Sequence, residues 1–398
     1  MSWTPHRLDQ IGHLSRGRSR HRPRDAAHLY DGPYPFIQTG DVKHAGLYIT
    51  DYQQTYTEAG LEQSKLWPAG TLCITIAANI ADTAILGIDA CFPDSVIGFN
   101  PDENKADARF VKYLFDATIQ HRVRQFTQGA AQDNLSQEKL LSIEFLVPNV
   151  NEQKRIADVL SAYDDLVENN RRRMALLEEA ARQLYREWFV RLRFPGHEHT
   201  LITNGVPEGW QKKRISEIAD VNRETLPGTF DGEIEYIDIS SVTPGNINET
   251  TPYSFREAPS RARRVVQHGD IIWSCVRPNR KSYAVIWQPA PNLIASTGFA
   301  VIRPRTVPTS FLIQATTTDS FVGYLGNHAR GVAYPAVVAG DFERAEVLVS
   351  RSSLIDAFNE QAEPLLAQTH TLRLQNQKLR AARDLLLPRL MSGELMAR

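Results

Sequence analysis

The chain has 398 residues, 42% of them hydrophobic and 23% charged, with a formal net charge of −1. This composition is ordinary for a globular protein of two to three domains, and the overall charge argues neither for nor against a nucleic-acid partner. Three cysteines without CxxC spacing favour buried thiols in a reducing compartment, and there is no apolar run of membrane-spanning length. We therefore expect a cytoplasmic protein without membrane contact.

The first 150 residues alternate short strand-like runs with helical ones. Residues 67–86 contain a Gly turn, a β-rich run, a polar bend and a second β-rich run, which is typical of a β-hairpin. The predicted elements are a strand at 34–42, the hairpin at 67–86, a strand at 94–99, a helix at 108–126, a Gly loop at 127–136 and a last strand at 143–148. The pattern predicts a mixed α/β head.

Residues 152–190 contain no Gly or Pro and carry apolar residues at spacings of three and four. Such a/d spacing predicts one long coiled-coil helix. At 1.5 Å per residue, a helix of 39 residues is roughly 58 Å long. The segment 194–210 that follows is rich in Pro and Gly, which marks a boundary.

The second half repeats the first. Trp3 and Arg7 correspond to Trp210 and Arg214 at a constant offset of 207. The predicted elements are a strand at 234–242, a hairpin at 265–286, a strand at 295–302, a helix at 309–325, a Gly loop at 328–338 and a last strand at 345–350. Repetition at this scale predicts two copies of one supersecondary unit.

A second coiled-coil helix follows at an offset of 202, with Phe358 in the place of Ile156. The predicted interface positions are Ile156, Leu160, Tyr163, Val167, Met174, Leu177, Leu184, Phe358, Leu365, Leu372, Leu379 and Leu386. The remaining a/d positions of the second helix are more polar: Ala362, Thr369, Asn376, Arg383 and Leu390. Because the ends of a domain usually lie close together, the second helix should return antiparallel to the first. We expect Pro364 to delay the start of the second helix or to kink it. We expect Pro388 to disturb the end of this helix, so that Leu390 contributes only a weak contact to the coiled coil.

The sequence thus predicts an α+β protein with two duplicated mixed α/β heads separated by a long antiparallel two-helix coiled coil. We place the heads at 1–150 and 194–350, and the helical spacers at 151–193 and 351–398.

Four segments then carry a family resemblance. PEGW at 207–210, EQKRIADVLS at 152–161, LYREWFVRLRFP at 184–195 and RLMSGEL at 389–395 resemble hallmarks of type I restriction-modification specificity subunits, in the family's own order. The second half departs from the pattern, because LIDAFNEQAEP carries its Glu-Gln pair at a different phase.

The resemblance implies a non-catalytic subunit that reads a bipartite, asymmetric site in double-stranded DNA with two target recognition domains. It implies docking of two methyltransferase subunits, and of restriction subunits. No cofactor would be bound by this chain; S-adenosylmethionine, ATP and Mg would belong to the partner subunits.

Candidate DNA contacts lie in the basic segment 15–24, at the two hairpin bends and in the two Gly loops. Cations suit phosphates, Asn and Gln can pair with adenine, and Arg with guanine. The candidates are Arg16, Arg18, Arg20, Arg22, Asn79, Gln128, Gln132, Arg277, Asn279, Arg280, Lys281, Arg330 and Tyr334. We expect the basic segment to be a flexible loop, since Gly17 and Pro23 interrupt any helix. The competing interpretation of the basic segment is a run of solvated charges, and that of the bends is an ordinary hairpin turn.

Two other functions compete with DNA recognition. Asp94, Glu103 and Lys105 resemble the acidic pair and Lys of a metal-dependent nuclease, although Glu103 lies in a polar run. A coiled-coil adaptor without DNA contact is the other alternative. No ATP-binding P-loop, adenine methyltransferase motif or zinc spacing is present in the sequence.

Overall fold

The computed structural model describes residues 3–77, 80–120 and 137–395. Contacts divide the chain into two compact units: unit 1 contains Met1–Arg172 and Leu374–Arg398, and unit 2 contains Arg173–Arg373. This division cuts through both long helices. The boundaries predicted at 150, 193 and 350, which separate heads from helices, stay a prediction.

Unit 1 is a mixed α/β structure. Its strands are Thr4–His6, Gly12–Arg16, Tyr30–Phe36, Tyr48–Ile49, Gln54–Tyr56, Leu66–Trp67, Leu72–Thr75, Thr83–Leu86, Ala90–Cys91, Val96–Pro101 and Phe145–Val147. Its short helices are Leu8–Ile11, Ala27–Leu29, Thr39–His44, Glu58–Glu62, Ala108–Phe115, Asp116–Gln120 and Gln137–Ser142.

Unit 2 has the same character. Its strands are Ile202–Thr203, Val206–Pro207, Gln211–Arg214, Ala219–Val221, Glu233–Ile237, Val242–Thr243, Asn246–Ile247, Thr251–Ser254, Ala262–Val265, Ile271–Ser274, Tyr283–Val285, Leu293–Ser296, Phe299–Pro304 and Glu346–Val349. Its short helices are Arg186–Val190, His197–His199, Ile215–Ile218, Ile239–Ser241, Pro278–Arg280, Thr309–Thr317, Asp319–His328 and Ala339–Arg344.

The predicted duplication is confirmed by the strand pairing. In unit 1 the first strand, Thr4–His6, pairs antiparallel with Phe145–Val147, the strand before the long helix. In unit 2 Gln211–Arg214 pairs in the same way with Glu346–Val349. Each pairing brings the two ends of a head together at the start of a long helix.

Both predicted hairpins are also present. Leu72–Thr75 pairs antiparallel with Thr83–Leu86, and Ile271–Ser274 with Tyr283–Val285. Three of these four strands are buried along their whole length, which explains their near-continuous apolar sequence. In each unit one hairpin strand also pairs with a longer strand, Val96–Pro101 or Phe299–Pro304, so the hairpin is part of a larger sheet.

The long helices Val150–Tyr185 and Ser352–Met391 pair antiparallel, as predicted. Within unit 1 Asn170 contacts Asn376, and within unit 2 Glu178 contacts Arg373. Every predicted interface position is buried or partly buried. The paired long helices are therefore confirmed, whereas the individual interface positions stay predictions.

Polar residues at the a/d positions of the second helix pair with specific residues of the first, along the contact between the two helices that we call the seam. Asn170 Nδ2 donates to Asn376 Oδ1 at 3.0 Å, and Asn376 Nδ2 donates to the Val167 carbonyl oxygen at 3.1 Å. Arg383 forms an ion pair with Asp164. Polar groups at core positions of a coiled coil favour one register, because a slipped register would bury them without partners.

The expected effects of proline on the start and the end of the second helix were wrong. The second helix begins at Ser352, so Pro364 does not delay it, and the alternative effect, a kink at Pro364, stays a prediction. Pro364 is exposed, and packing of Phe358 and Leu372 on either side outweighs the lost backbone hydrogen bond. The helix also continues past Pro388, and Leu390 is buried, at 3% exposure, in the core of unit 1.

The three cysteines are free thiols in the described structure, with Cys73 and Cys91 buried and Cys275 partly buried, as expected. No helix in the described ranges is both long and apolar enough to cross a membrane.

We predict that Asn376→Ala lowers the free energy of unfolding by about 1–3 kcal/mol, because it leaves the buried Asn170 amide without its partner and removes the additional hydrogen bond to the Val167 carbonyl. Urea denaturation followed by circular dichroism would measure the change. The matched control is Gln375→Ala, at an exposed position of the same helix. Equal effects of the two substitutions would contradict a specific role for the pair.

Candidate nucleic-acid interface

The basic segment continues from the strand Gly12–Arg16 as extended chain. Gly17 and Ser19 are buried, whereas Arg16, Arg18 and Arg20 are exposed. In extended chain alternate side chains point to opposite sides, so these three arginines share the solvent side. The absence of a helix agrees with the prediction.

The backbone of this segment is anchored, in contrast to the flexible loop that the sequence led us to expect. Gly17 N donates to the Val96 carbonyl oxygen at 2.8 Å, and Arg18 N to the Phe92 carbonyl oxygen at 3.0 Å. A Cβ on Gly17 would lie 2.4 Å from that same Phe92 oxygen, so only glycine permits the approach. Gly17 and Pro23, which exclude a helix, do not by themselves make a free loop, because neighbouring strands supply hydrogen-bond partners.

The arginines differ in how far their charge is compensated. Arg24 Nη2 donates to both carboxylate oxygens of Asp94 at 3.0 Å. Within the described ranges, no Asp or Glu forms an ion pair with any of the four arginines predicted to contact DNA, Arg16, Arg18, Arg20 and Arg22. Their cationic charge remains available to an external anion.

Lys65 adds a cation that the sequence analysis missed. Its ammonium lies 3.6 Å from the ring centroid of Trp67. Burial, and then the nearby charge of Arg18, lowers the pKa of Lys65. A Lys 47 positions away from Arg18 gives no sequence signal of this proximity.

In unit 2 the structure joins two groups of candidates that were predicted separately. The hairpin bend begins at Arg277, whose backbone is left-handed with φ 50° and ψ 60°. Arg277 N donates to the Pro335 carbonyl oxygen at 2.7 Å, and its Nη2 to the Ala333 carbonyl oxygen at 3.2 Å. The guanidinium carbon lies 4.7 Å from the ring centroid of Tyr334. The bend and the Gly loop therefore form one surface.

The other residues of this bend differ in availability. Arg280 and Asn279 are exposed, and in the described structure Arg280 has no carboxylate within ion-pairing distance. Lys281 is paired with Asp319 at 3.1 Å, and this ammonium holds the pKa of the Asp319 carboxyl below its usual value. Arg280 is thus better placed than Lys281 to meet a new partner.

Residues Arg330 and Tyr334 lie at the base and the tip of the Gly loop. Both are exposed, and Tyr334 retains 69% of its accessible surface. Arg330 contributes to lowering the pKa of Asp341, so part of its charge is compensated locally.

Three predicted contacts, Asn79, Gln128 and Gln132, lie outside the described residues. The bend and the Gly loop of the first head therefore stay predictions.

The nuclease arrangement receives no support from the geometry. Asp94 is bound by Arg24, and Lys105 is paired with Asp102 at 3.2 Å. Among the residues that the structure describes, no group of three His, Cys, Asp or Glu side chains could hold a metal ion.

Comparisons with known proteins agree with the duplicated fold. A family model for the type I restriction modification DNA specificity domain matches residues 2–179. The chain is 22% identical to the type I restriction enzyme MjaIX specificity subunit of Methanocaldococcus jannaschii, covering 99% of this chain and 93% of that protein. It is 29% identical to the EcoR124I/EcoR124II specificity subunit of Escherichia coli over 34% of this chain and 35% of that one.

A solved structure has the same fold. The S subunit of the type I restriction-modification system from M. genitalium superimposes with a TM-score of 0.59 at 15% identity, covering 98% of this chain and 96% of that one. In this chain, each sheet-rich region is followed by a long helix, and the two long helices pair. Residues 2–179 match the DNA specificity domain of type I restriction-modification systems, and over nearly its whole length the chain is similar to a specificity subunit of such a system.

Proposed function

We propose that this chain gives a type I restriction-modification complex its DNA sequence specificity by reading a bipartite, asymmetric site, one half with each head. The observation that carries the proposal is that two copies of one fold present different exposed cations. Unit 1 offers a row of arginines along an extended segment, and unit 2 offers Arg280 beside a joined bend and loop. Phosphate contacts would orient each head, and side chains of the bends and loops would read base edges.

In this proposal the chain itself is a non-catalytic subunit, like the specificity subunits to which it is similar. Two methyltransferase subunits would dock on it and methylate adenine with S-adenosylmethionine. Restriction subunits would add ATP- and Mg-dependent cleavage, and the complex would act in the cytoplasm. The rival readings, a nuclease and an adaptor without DNA contact, lack support, because a DNA specificity domain spans residues 2–179 and the nuclease residues are paired elsewhere.

Co-expression with the methyltransferase gene of the same system, followed by mapping of methylated adenines, tests the proposal. We predict one motif with two specified halves and an unspecified spacer. Exchange of residues 1–148 for the first head of another family member should change one half only. The control is the parent chain, expressed and mapped in the same way. A change in both halves would contradict independent reading, and an unmethylated genome would contradict the function.

The basic segment gives a second prediction. Arg18→Ala with Arg20→Ala should weaken binding to all sequences and reduce the slope of log K against log salt by about one unit per lost phosphate contact. These two side chains are chosen because, within the described part of the chain, they form no hydrogen bond. Fluorescence anisotropy at several salt concentrations would measure the slope.

Asp94→Asn is the matched variant, for which DNA binding and its salt dependence should change in the opposite direction. It frees the Arg24 guanidinium, which is now bound to both carboxylate oxygens, so binding should strengthen and the slope increase by up to about one unit. An unchanged slope in both variants would mean that the segment is only a solvated charge run.

A third prediction concerns the spacer of the DNA site. One heptad adds two helical turns, about 10 Å, and keeps the a/d seam in phase. Inserted between Met174 and Leu177, it needs a matching heptad between Leu372 and Asn376, because Asn170 faces Asn376 and Glu178 faces Arg373. An insertion near Leu379, which lies at the offset of 202 from Leu177, would leave the two inserted heptads unpaired in the antiparallel arrangement.

We expect the mapped spacer to lengthen by up to about three base pairs, at about 3.4 Å per step. The control inserts four residues at each place, which breaks the seam and should reduce folding. An unchanged spacer with a folded heptad variant would show that helix length does not set the half-site distance.

A further inference from the structure

The Gly loop of unit 2 presents an apolar tip to solvent. Val332 is fully exposed and Tyr334 is 69% exposed. Below them the loop is closed by a pair of hydrogen bonds, from Arg330 N to the Ala336 carbonyl oxygen at 2.8 Å and from Ala336 N to the Arg330 carbonyl oxygen at 2.9 Å. Gly331 has φ +97°, a conformation that favours glycine, so the tight turn is specified by the sequence.

The tip is held firmly on the hairpin bend. Val337 N donates to the Cys275 carbonyl oxygen at 2.9 Å, and Arg277 N to the Pro335 carbonyl oxygen at 2.7 Å. The Arg277 side chain adds a hydrogen bond to Ala333 and lies against the face of the Tyr334 ring. Arg277 adopts the left-handed conformation to do so, which is uncommon for a residue with a Cβ. Backbone hydrogen bonds and the Arg277 side chain thus fix an exposed aromatic ring in position.

The surroundings of the tip are cationic. Arg277 lies beneath the ring, Arg280 is exposed in the same bend, and Arg330 is exposed at the base of the loop. The nearby carboxylates, Asp319 and Asp341, are bound to Lys281 and Arg344 respectively. An apolar tip among arginines matches the chemistry of a nucleic acid, which offers apolar base faces behind a row of phosphates.

We propose that Tyr334 is a wedge that enters one base step of the half-site read by unit 2 and stacks the free face of its ring on an unstacked base, and that Arg277, which covers the other face, is the residue that positions it. This inference rests on the proposed function. In duplex DNA a base face becomes accessible only when a step is unstacked and kinked, and apolar side chains that do so bend the duplex. A ring already fixed in place loses little conformational freedom when it inserts.

The test uses the complex of the full chain with its methyltransferase subunits and a duplex that carries the mapped site. Permanganate reactivity of thymines reports unstacked steps, and energy transfer between dyes at the two ends reports bending. We expect one reactive step and a bend with the parent chain. The thymine opposite the methylated adenine is an internal control, because methyltransferases flip their target base independently of this ring.

Tyr334→Ala should abolish the reactive step, reduce the bend and weaken binding about 5- to 150-fold, while the control thymine stays reactive. Tyr334→Phe should keep all three signals, because it retains the ring and removes only the hydroxyl. Arg277→Lys should lose most of the bend, because an ammonium keeps the charge but not the planar contact with the ring. The matched control is Tyr52→Ala, at an exposed tyrosine of unit 1, which should leave this half-site unchanged.

Two results with the Tyr334 variants would overturn the wedge. One is an unchanged step and bend in Tyr334→Ala. The other is a Tyr334→Phe variant that behaves like Tyr334→Ala and loses preference at a single base pair, which would assign base-edge reading to the hydroxyl. A parent complex that methylates its mapped site without any additional reactive step or bend refutes the wedge alone. A parent without sequence-specific binding refutes the proposed function, and the wedge with it.

Discussion

The antiparallel contact between the two long helices is the interaction on which both compact units depend, because it joins segments that are far apart in sequence. The core of unit 1 includes Leu390 and Met391 from the C-terminal end together with Ile156 and Leu160 from the first long helix. The core of unit 2 includes Phe358 packed against Tyr185, Trp188 and Phe189. Neither core is complete until the second helix has formed and returned along the first.

The seam combines apolar layers with a few polar ones, and these have different consequences. The apolar layers supply most of the stabilisation, since each buried Leu or Phe removes a large apolar surface from water. The polar layers discriminate between registers: Asn170 faces Asn376, and Arg383 faces Asp164. Burial raises the pKa of Glu178, and the guanidinium of Arg373 opposes that rise. Such groups tolerate burial only beside their partners, so they fix which residues meet.

The two heads use one strand order to present cations in different ways. In unit 1 the arginines lie along an extended segment that neighbouring strands hold by backbone hydrogen bonds. In unit 2 the cations surround a bend that is joined to a loop carrying an aromatic ring. The corresponding strands pair in the same order in both units, apart from an additional edge strand, Tyr48–Ile49, in unit 1, while the side chains at the sheet edges differ. The proposed reading of two half-sites would use this separation of a shared scaffold from differing surface side chains.

The sequence alone determined the duplicated architecture, because strand and helix periodicities repeat at nearly constant offsets and hydrophobic burial acts through those periods. It determined the antiparallel helix pair for the same reason. It also identified Arg277 and Tyr334 as separate candidates from their residue types and the turns around them.

Only the tertiary structure decided which of these residues meet. Arg277 and Tyr334 are 57 positions apart, and their contact depends on backbone hydrogen bonds between a bend and a loop. The pairing of Arg24 with Asp94, and the proximity of Lys65 to Arg18, likewise depend on strand order, which no local pattern encodes. The helix that continues through Pro364 shows the same limit, since local propensity opposes it and packing on both sides of the proline stabilises it.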